Sequence, residues 1–181
     1  MRKTIIAAAL LIASGHSLAA TDPNSPTVMS NFSYDYIEAR IGVGPTTFGA
    51  AMSKSVHPNA HLVGRIDSKF EGDYDSAVGF GFHAPVNNWA DFTGEMLFRG
   101  VSERSKSSHT GLEMNLGVRQ WLGPQLEVGG KVGYVSIKEE KDWLGNVYAR
   151  FHSTELFSIA GEFRINDFYG DQVMMTTRFK F

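Results

Sequence analysis

Charged side chains of both signs recur at alternate positions along much of the chain, and this spacing bears on the chemistry they can do. Glu38 is followed two residues later by Arg40, and Arg65 is followed in the same way by Asp67. Because alternate residues of a β-strand point to one face, such charges would share one face of a sheet. Buried charges persist in proteins when they are paired, so the pattern predicts an ion-pair network or the charged lining of a path. The predicted set is Glu38, Arg40, Arg65, Asp67, Glu95, Arg99, Glu113, Arg119, Glu127, Lys131, Arg150, Glu162, Arg164 and Arg178.

Three histidines form a second candidate group. His61, His83 and His152 fall on the same predicted face as the charges, near strand ends. Neutral imidazoles bind divalent metals and change charge near neutral pH, so a metal site or a pH response is one hypothesis. The simpler interpretation is that they are polar residues beside water, and the sequence supplies no matching carboxylate. We therefore expect no metal and no cofactor.

An enzymatic site is a further alternative, because residues 151–155 contain His152, Ser153 and Glu155. Nucleophilic catalysis needs a nucleophile and a base in contact, and three nearly adjacent residues around a tight turn do not converge easily. The chain has no cysteine, which excludes disulfides and thiol nucleophiles. We expect that the protein is not an enzyme.

The apolar residues also alternate, and this predicts the elements that position the charges. Leu112, Met114, Leu116 and Val118 alternate with more polar residues, and similar segments follow one another along the chain without a sustained helical period. We predict about ten strands, at residues 35–44, 46–56, 60–70, 74–84, 90–101, 109–122, 124–138, 145–153, 155–165 and 171–181. The fold class is therefore all-β, a closed antiparallel up-and-down barrel, with eight strands as the alternative count.

The start of the chain predicts export. Residues 1–20 combine a basic start, a short apolar stretch and small residues near Ala19 and Ala20, which is typical of a cleavable signal peptide cut after one of those alanines. Residues 21–31 are polar and contain prolines, so we predict a flexible periplasmic tail, followed by the barrel at 32–181. The formal charge of −2 does not favour a nucleic-acid partner.

Three features favour a membrane barrel, with apolar residues toward lipid and charges toward the lumen. The polar face contains Gly79, Gly81, Gly117, Gly129 and Gly133, which would relieve crowding in a lumen or leave a path for water. Aromatic residues gather at predicted strand ends, as interfacial girdles do. One group is Phe92, Trp121, Phe179 and Phe181, and the other is Phe70, Phe98, Tyr134 and Phe168. The third feature is the last segment, which alternates up to Phe181.

These patterns resemble the small Gram-negative outer-membrane β-barrels related to the OmpA/OmpX-like domain. The segments that carry the resemblance are Tyr34 to Arg40, Val78 to Pro85, Leu112 to Pro124 and Arg178 to Phe181. The resemblance implies that Phe179 and Phe181 form the signal read by the outer-membrane assembly machinery. The best-known members have eight strands, whereas the pattern here predicts about ten.

We therefore expect a bacterial outer-membrane barrel with a structural, envelope-integrity or surface-interaction role and a lumen sealed by paired charges. The alternative is a narrow porin-like channel for ions or small solutes, and a lipid-modifying enzyme is a third interpretation. The expected partners are outer-membrane lipid, lipopolysaccharide and the assembly machinery, with a monomer favoured. With both termini in the periplasm, the outward connections would be 44–46, 71–73, 101–108, 139–144 and 166–170.

Overall fold

The computed structural model describes residues 30–104, 107–138 and 140–181. The predicted signal peptide, and all of the predicted tail except residues 30 and 31, lie outside the described residues. No helix among the described residues is long and apolar enough to cross a membrane.

The described residues form ten antiparallel strands, each longer than the mode of about 5–6 residues for strands in globular proteins. They are β1 Tyr36–Val43, β2 Thr47–His57, β3 Ala60–Ser68, β4 Tyr74–Asn87, β5 Ala90–Ser102, β6 His109–Trp121, β7 Leu126–Ile137, β8 Glu140–His152, β9 Phe157–Asp167 and β10 Gly170–Lys180. Each strand pairs with its neighbour in the chain, and β1 pairs with β10 to close the barrel. The predicted meander barrel of ten strands is confirmed, and the eight-strand alternative is wrong.

The start of β1, the end of β10 and the β2–β3, β4–β5, β6–β7 and β8–β9 turns lie at one end of the barrel, which we name the terminal end. The other five connections lie at the opposite end, which we name the distal end. The predicted loop at 139–144 is wrong, because β8 already begins at Glu140. Lys138 has a φ of 57°, and a left-handed residue of this kind permits a tight hairpin turn.

Pro85 follows the predicted strand at 74–84, but in the structure it lies within β4 opposite Asp91. The strand register shifts between Pro85 and Asn87, which is the kind of irregularity that accommodates a proline without a ladder hydrogen bond. The shift stands at the terminal end of β4, so the central part of the ladder is intact.

The two faces of the sheet are inverted relative to a soluble barrel. Apolar side chains point outward, with Leu116 72% exposed, whereas Arg99 is 1% exposed and Glu127 is completely buried inside. A soluble barrel buries its apolar face, and a transmembrane barrel turns that face to lipid. The distribution of side chains is therefore that of a transmembrane barrel.

Candidate functional site

The barrel interior is filled by ion pairs, and the distal half is organised around Arg99. Its Nε donates to Oδ1 of Asp75 at 2.7 Å, and its Nη2 donates to Oδ2 of the same carboxylate at 2.8 Å. The guanidinium also contacts Glu113 at 3.0 Å and, from the opposite side of the barrel, Asp167. Arg65 donates to the same oxygen of Glu113 at 2.8 Å. The contacts of Arg99 with Asp75 and Glu113 join neighbouring strands. Its contact with Asp167 joins β5 to β9, and the Arg65–Glu113 contact joins β3 to β6, so these two cross the interior.

A second distal group surrounds Asp67, whose carboxylate lies 3.2 Å from Nη1 of Arg164 and 3.5 Å from Nε of Arg40. Arg164 and Arg40 both also approach Glu162, at 2.8 and 3.8 Å. Two cations are thereby shared between two carboxylates, a neutral arrangement in which each buried charge has more than one partner.

The middle of the interior is joined to the distal group through an amide. Nδ2 of Asn115 donates to Glu95 at 2.9 Å and to Glu113 at 2.8 Å. Glu95 also accepts from Nζ of Lys131 at 2.9 Å. A cavity of about 30 Å³ lies beside Arg65, Glu113 and Lys131, which is more than the roughly 10–15 Å³ needed to hold one water molecule.

Two carboxylates organise the terminal half. Glu38 accepts from Nη2 of Arg150 at 2.8 Å and from Nε of Arg178 at 2.9 Å. Glu127 has three partners: Arg119 at 3.0 Å, the Tyr148 hydroxyl at 2.7 Å and Nε2 of His152 at 2.9 Å. All fourteen charged residues expected in the lumen point inward, and each one makes an ion pair.

Sequence reasoning missed three interior carboxylates. Asp75 lies two positions before the inward Ala77 on β4, and Asp91 lies four positions before the inward Glu95 on β5. The alternation along each strand could therefore have identified both as inward residues. Asp167 breaks the alternation of β9. Asn166 has a φ of 58° and the β9–β10 register shifts next to it, so Asp167 instead of Asn166 turns toward the interior.

Three interior glycines leave space that neighbouring side chains fill. A Cβ on Gly129 would lie 2.5 Å from the Tyr148 hydroxyl, one on Gly81 would lie 2.1 Å from the His61 ring, and one on Gly133 would lie 2.0 Å from Oδ1 of Asn115. At these positions the missing side chain makes room for another residue rather than for a water path.

The three candidate histidines do not meet at one point. His61 and His83 lie 5.7 Å apart between ring centres, and both stack against Tyr34, whereas His152 pairs with Glu127 and packs against Trp121. Among the described residues, no group of three His, Cys, Asp or Glu side chains is placed to hold a metal ion.

Near the terminal end, one aromatic residue differs from expectation. Trp121, predicted in an outward aromatic girdle, instead stacks inside the mouth against Phe32 at 5.4 Å between ring centres. The Ser153 hydroxyl contacts the carbonyl oxygen of Phe157 rather than His152. Phe179 and Phe181 point outward and are about half exposed.

The distal mouth is crossed by a contact between two turns. The Tyr169 hydroxyl donates to Asp73, which also accepts from the backbone N–H groups of Lys69 at 3.1 Å and Glu71 at 3.0 Å. Burial acts to raise the pKa of Asp73, but these hydrogen bonds outweigh it and hold the pKa below its ordinary value. We name this contact the distal latch.

No protein-family model and no curated protein matches the chain. Its fold is similar to that of the KdgM porin solved in complex with disordered oligogalacturonate, with 9% sequence identity and a TM-score of 0.52 over 81% of this chain and 99% of that chain. A de novo designed transmembrane β-barrel aligns with 12% identity and a TM-score of 0.42, over 83% of this chain and 98% of that chain. The likeness to KdgM concerns the fold alone, a transmembrane β-barrel.

Proposed function

We propose that the chain is an integral outer-membrane β-barrel with a closed interior, and that its role is structural, in envelope integrity or in surface interaction. The observation that carries the proposal is the saturation of the interior by ion pairs that span the ring, such as the contact of Arg99 on β5 with Asp167 on β9. An open pore needs charges that face water, whereas here carboxylates and guanidinium groups neutralise each other.

The outward apolar surface supports membrane placement. Closed barrels pair all their strand edges, so the backbone of this fold can lie in lipid without unpaired groups. The lipid partners of the proposal are outer-membrane phospholipid and lipopolysaccharide, and Phe179 and Phe181 are proposed as the signal for the assembly machinery. The proposal assigns a monomer and no catalytic role.

A narrow channel is the second candidate function, and the likeness to a structure described as a porin favours it. The discriminating property is whether the interior conducts ions. The spaces beside Gly129, Gly81 and Gly133 are filled by Tyr148, His61 and Asn115, and this filling favours the closed barrel.

The test is conductance of the mature chain refolded into lipid and inserted in planar bilayers. A heat-dependent gel shift establishes that the barrel has folded, and an open porin in the same bilayers sets the detection limit. We expect folded protein without steady conductance steps. Reproducible ion-selective steps would overturn the closed barrel in favour of the channel, and recovery of the mature chain in the soluble periplasmic fraction would overturn membrane placement.

A further inference from the structure

The six residues before Tyr36 occupy the mouth of the barrel at its terminal end. Phe32 and Tyr34 are buried inside this mouth, although neither belongs to a strand. We propose that residues 30–35 are a detachable plug, bound in a pocket formed by Asp91, Arg119, Trp121 and the imidazoles of His61 and His83. The proposal goes beyond the closed barrel, because it assigns a binding site whose occupant is the chain's own N-terminal segment.

The pocket recognises hydroxyl groups through Asp91. Oδ2 of this completely buried carboxylate accepts from the Tyr34 hydroxyl at 2.8 Å and also from the Ser30 hydroxyl, while its Oδ1 is buried without a hydrogen-bond partner. Burial and the neighbouring carboxylate raise the pKa of Tyr34 against the lowering effect of Arg119, so the phenol remains a hydrogen-bond donor.

The pocket recognises aromatic rings by stacking and by a cation. The Tyr34 ring lies 3.8 Å from the His83 ring and 4.7 Å from the His61 ring, measured between centres. The Arg119 guanidinium lies 4.6 Å from the centre of the Phe32 ring and 4.7 Å from that of Tyr34. A desolvated guanidinium over two rings is an attractive arrangement that a solvated tail would not maintain.

The attachment of the plug differs from that of the strand that follows it. The β1 ladder begins at Tyr36, with partners on both sides. Just before it, Asp35 is held by the backbone N–H of Ser55 at 2.6 Å and by Lys54 at 3.4 Å. Within the described part of the chain, residues 30–34 contact the barrel through side chains, as where Nδ2 of Asn31 donates to the carbonyl oxygen of Asn88 at 2.9 Å. The backbone contact lies at the end of the plug, where the N–H of Phe181 donates to the carbonyl oxygen of Asp35 at 3.4 Å. The plug can therefore leave without breaking a strand pair, with its hinge next to Asp35.

Departure of the plug would expose the pocket from the terminal end only. The ion pairs of Glu38, Glu95 and Arg99 lie farther along the barrel and do not involve plug residues. The pocket would then be a one-sided site for a peptide segment with the same chemistry, namely two aromatic rings two residues apart, one of which carries a hydroxyl group.

The test uses the absence of cysteine from the chain. Thr93 lies inside the barrel, on the same face of β5 as Asp91 and opposite His83, so Thr93→Cys reports entry into the pocket. A charged thiol reagent is applied to the full mature chain in detergent, with the plug intact and with Phe32→Ala/Tyr34→Ala. We expect labelling to be at least about tenfold faster in the double variant, because the rate follows the population of the open form. The exposed turn variant Ser153→Cys serves as the control and labels equally fast in both backgrounds.

Two further measurements keep the test decisive. Tyr34→Phe retains the ring and loses only the hydroxyl group that donates to Asp91, so we expect an intermediate labelling rate. If the double variant lacks the heat-dependent gel shift and so has not folded, the labelling rate of Tyr34→Phe decides the test. The synthetic peptide Ser-Asn-Phe-Ser-Tyr-Asp should slow labelling of the double variant, whereas the same peptide with alanine at both ring positions should not. Equal labelling rates with and without the plug side chains, or equal effects of the two peptides, would overturn the plug.

Failure of the plug and failure of the closed barrel give different results. If the double variant labels fast and stays electrically silent, both proposals stand. If it labels fast and conducts, the plug stands and the sealing role of the ion pairs is wrong.

Discussion

Replacement of Arg99 by methionine tests whether ion pairs hold the interior together. Arg99 supplies both ion-pair hydrogen bonds that the described structure gives to Asp75. Its other partners are less dependent on it, because Glu113 retains Arg65 and Asp167 retains Arg164 at 3.1 Å. The principal consequence of Arg99→Met is therefore one buried carboxylate without a cation.

The expected magnitude follows from that single orphaned charge. Removal of one partner from a buried ion pair lowers the free energy of unfolding by about 3–5 kcal/mol. Replacement of both partners by apolar groups of similar volume is often close to neutral, so Arg99→Met/Asp75→Leu should recover most of the loss. The single variant is therefore expected to be less stable than the double variant.

The assay is urea unfolding of the refolded barrel in lipid vesicles, followed by tryptophan fluorescence and by the heat-dependent gel shift. Lys141→Met, at an exposed position near the distal end, is the control and should change stability by less than about 0.5 kcal/mol. The reasoning is refuted if Arg99→Met costs no more than this control, or if the added Asp75→Leu makes the barrel still less stable.

Three other predictions follow from the outer face, the interior glycines and the distal latch. Leu116→Arg should lower the free energy of unfolding in vesicles by about 2–4 kcal/mol if this exposed residue meets lipid near the midplane, and no change would mean that the faces are reversed. Gly129→Ala should lower the free energy of unfolding by about 1–3 kcal/mol in the same assay, because the added Cβ would lie 2.5 Å from the Tyr148 hydroxyl. The control is Gly161→Ala, whose Cβ would meet nothing within 4 Å and which should be neutral. Equal losses of stability in the two variants would contradict the packing. Since the pKa of Asp73 is lowered by folding, its stabilising effect should be present above the ordinary aspartate pKa of about 4 and be lost as pH falls through the lower folded value. Asp73→Asn should remove that part of the acid dependence of unfolding, and an unchanged pH profile would argue against the distal latch.

The strand pattern was predictable because alternation is a local property of the chain. Ten segments with apolar and polar faces indicated about ten strands, and the described residues form ten in the same order. Strand ends were less predictable, because a turn needs only one or two residues in a special conformation. Lys138 allows such a turn, and β8 therefore occupies residues that looked like a charged loop.

The inward charges were also predictable, since alternate residues along a strand lie on the same face. The partners of those charges were not, because an ion pair depends on strand tilt and on residues brought together from across the ring. Glu38 and Arg150 are 112 positions apart and meet at 2.8 Å. This rule of alternation fails at Asp167, because the left-handed backbone conformation of Asn166 turns the next residue to the other face.

The sequence by itself determined the all-β class, the order of the strands, and which residues share a face, because a period of two is written into neighbouring positions. It favoured ten strands over eight, and the structure decided the number. Only the tertiary structure decided that the charges neutralise each other across the ring and that the glycines make room for side chains. It alone decided that Phe32 and Tyr34, which precede the first strand of the structure, fill the terminal mouth. The physical reason is that closure brings distant residues into one dry interior, where each buried charge and ring must find a partner that its own segment does not contain.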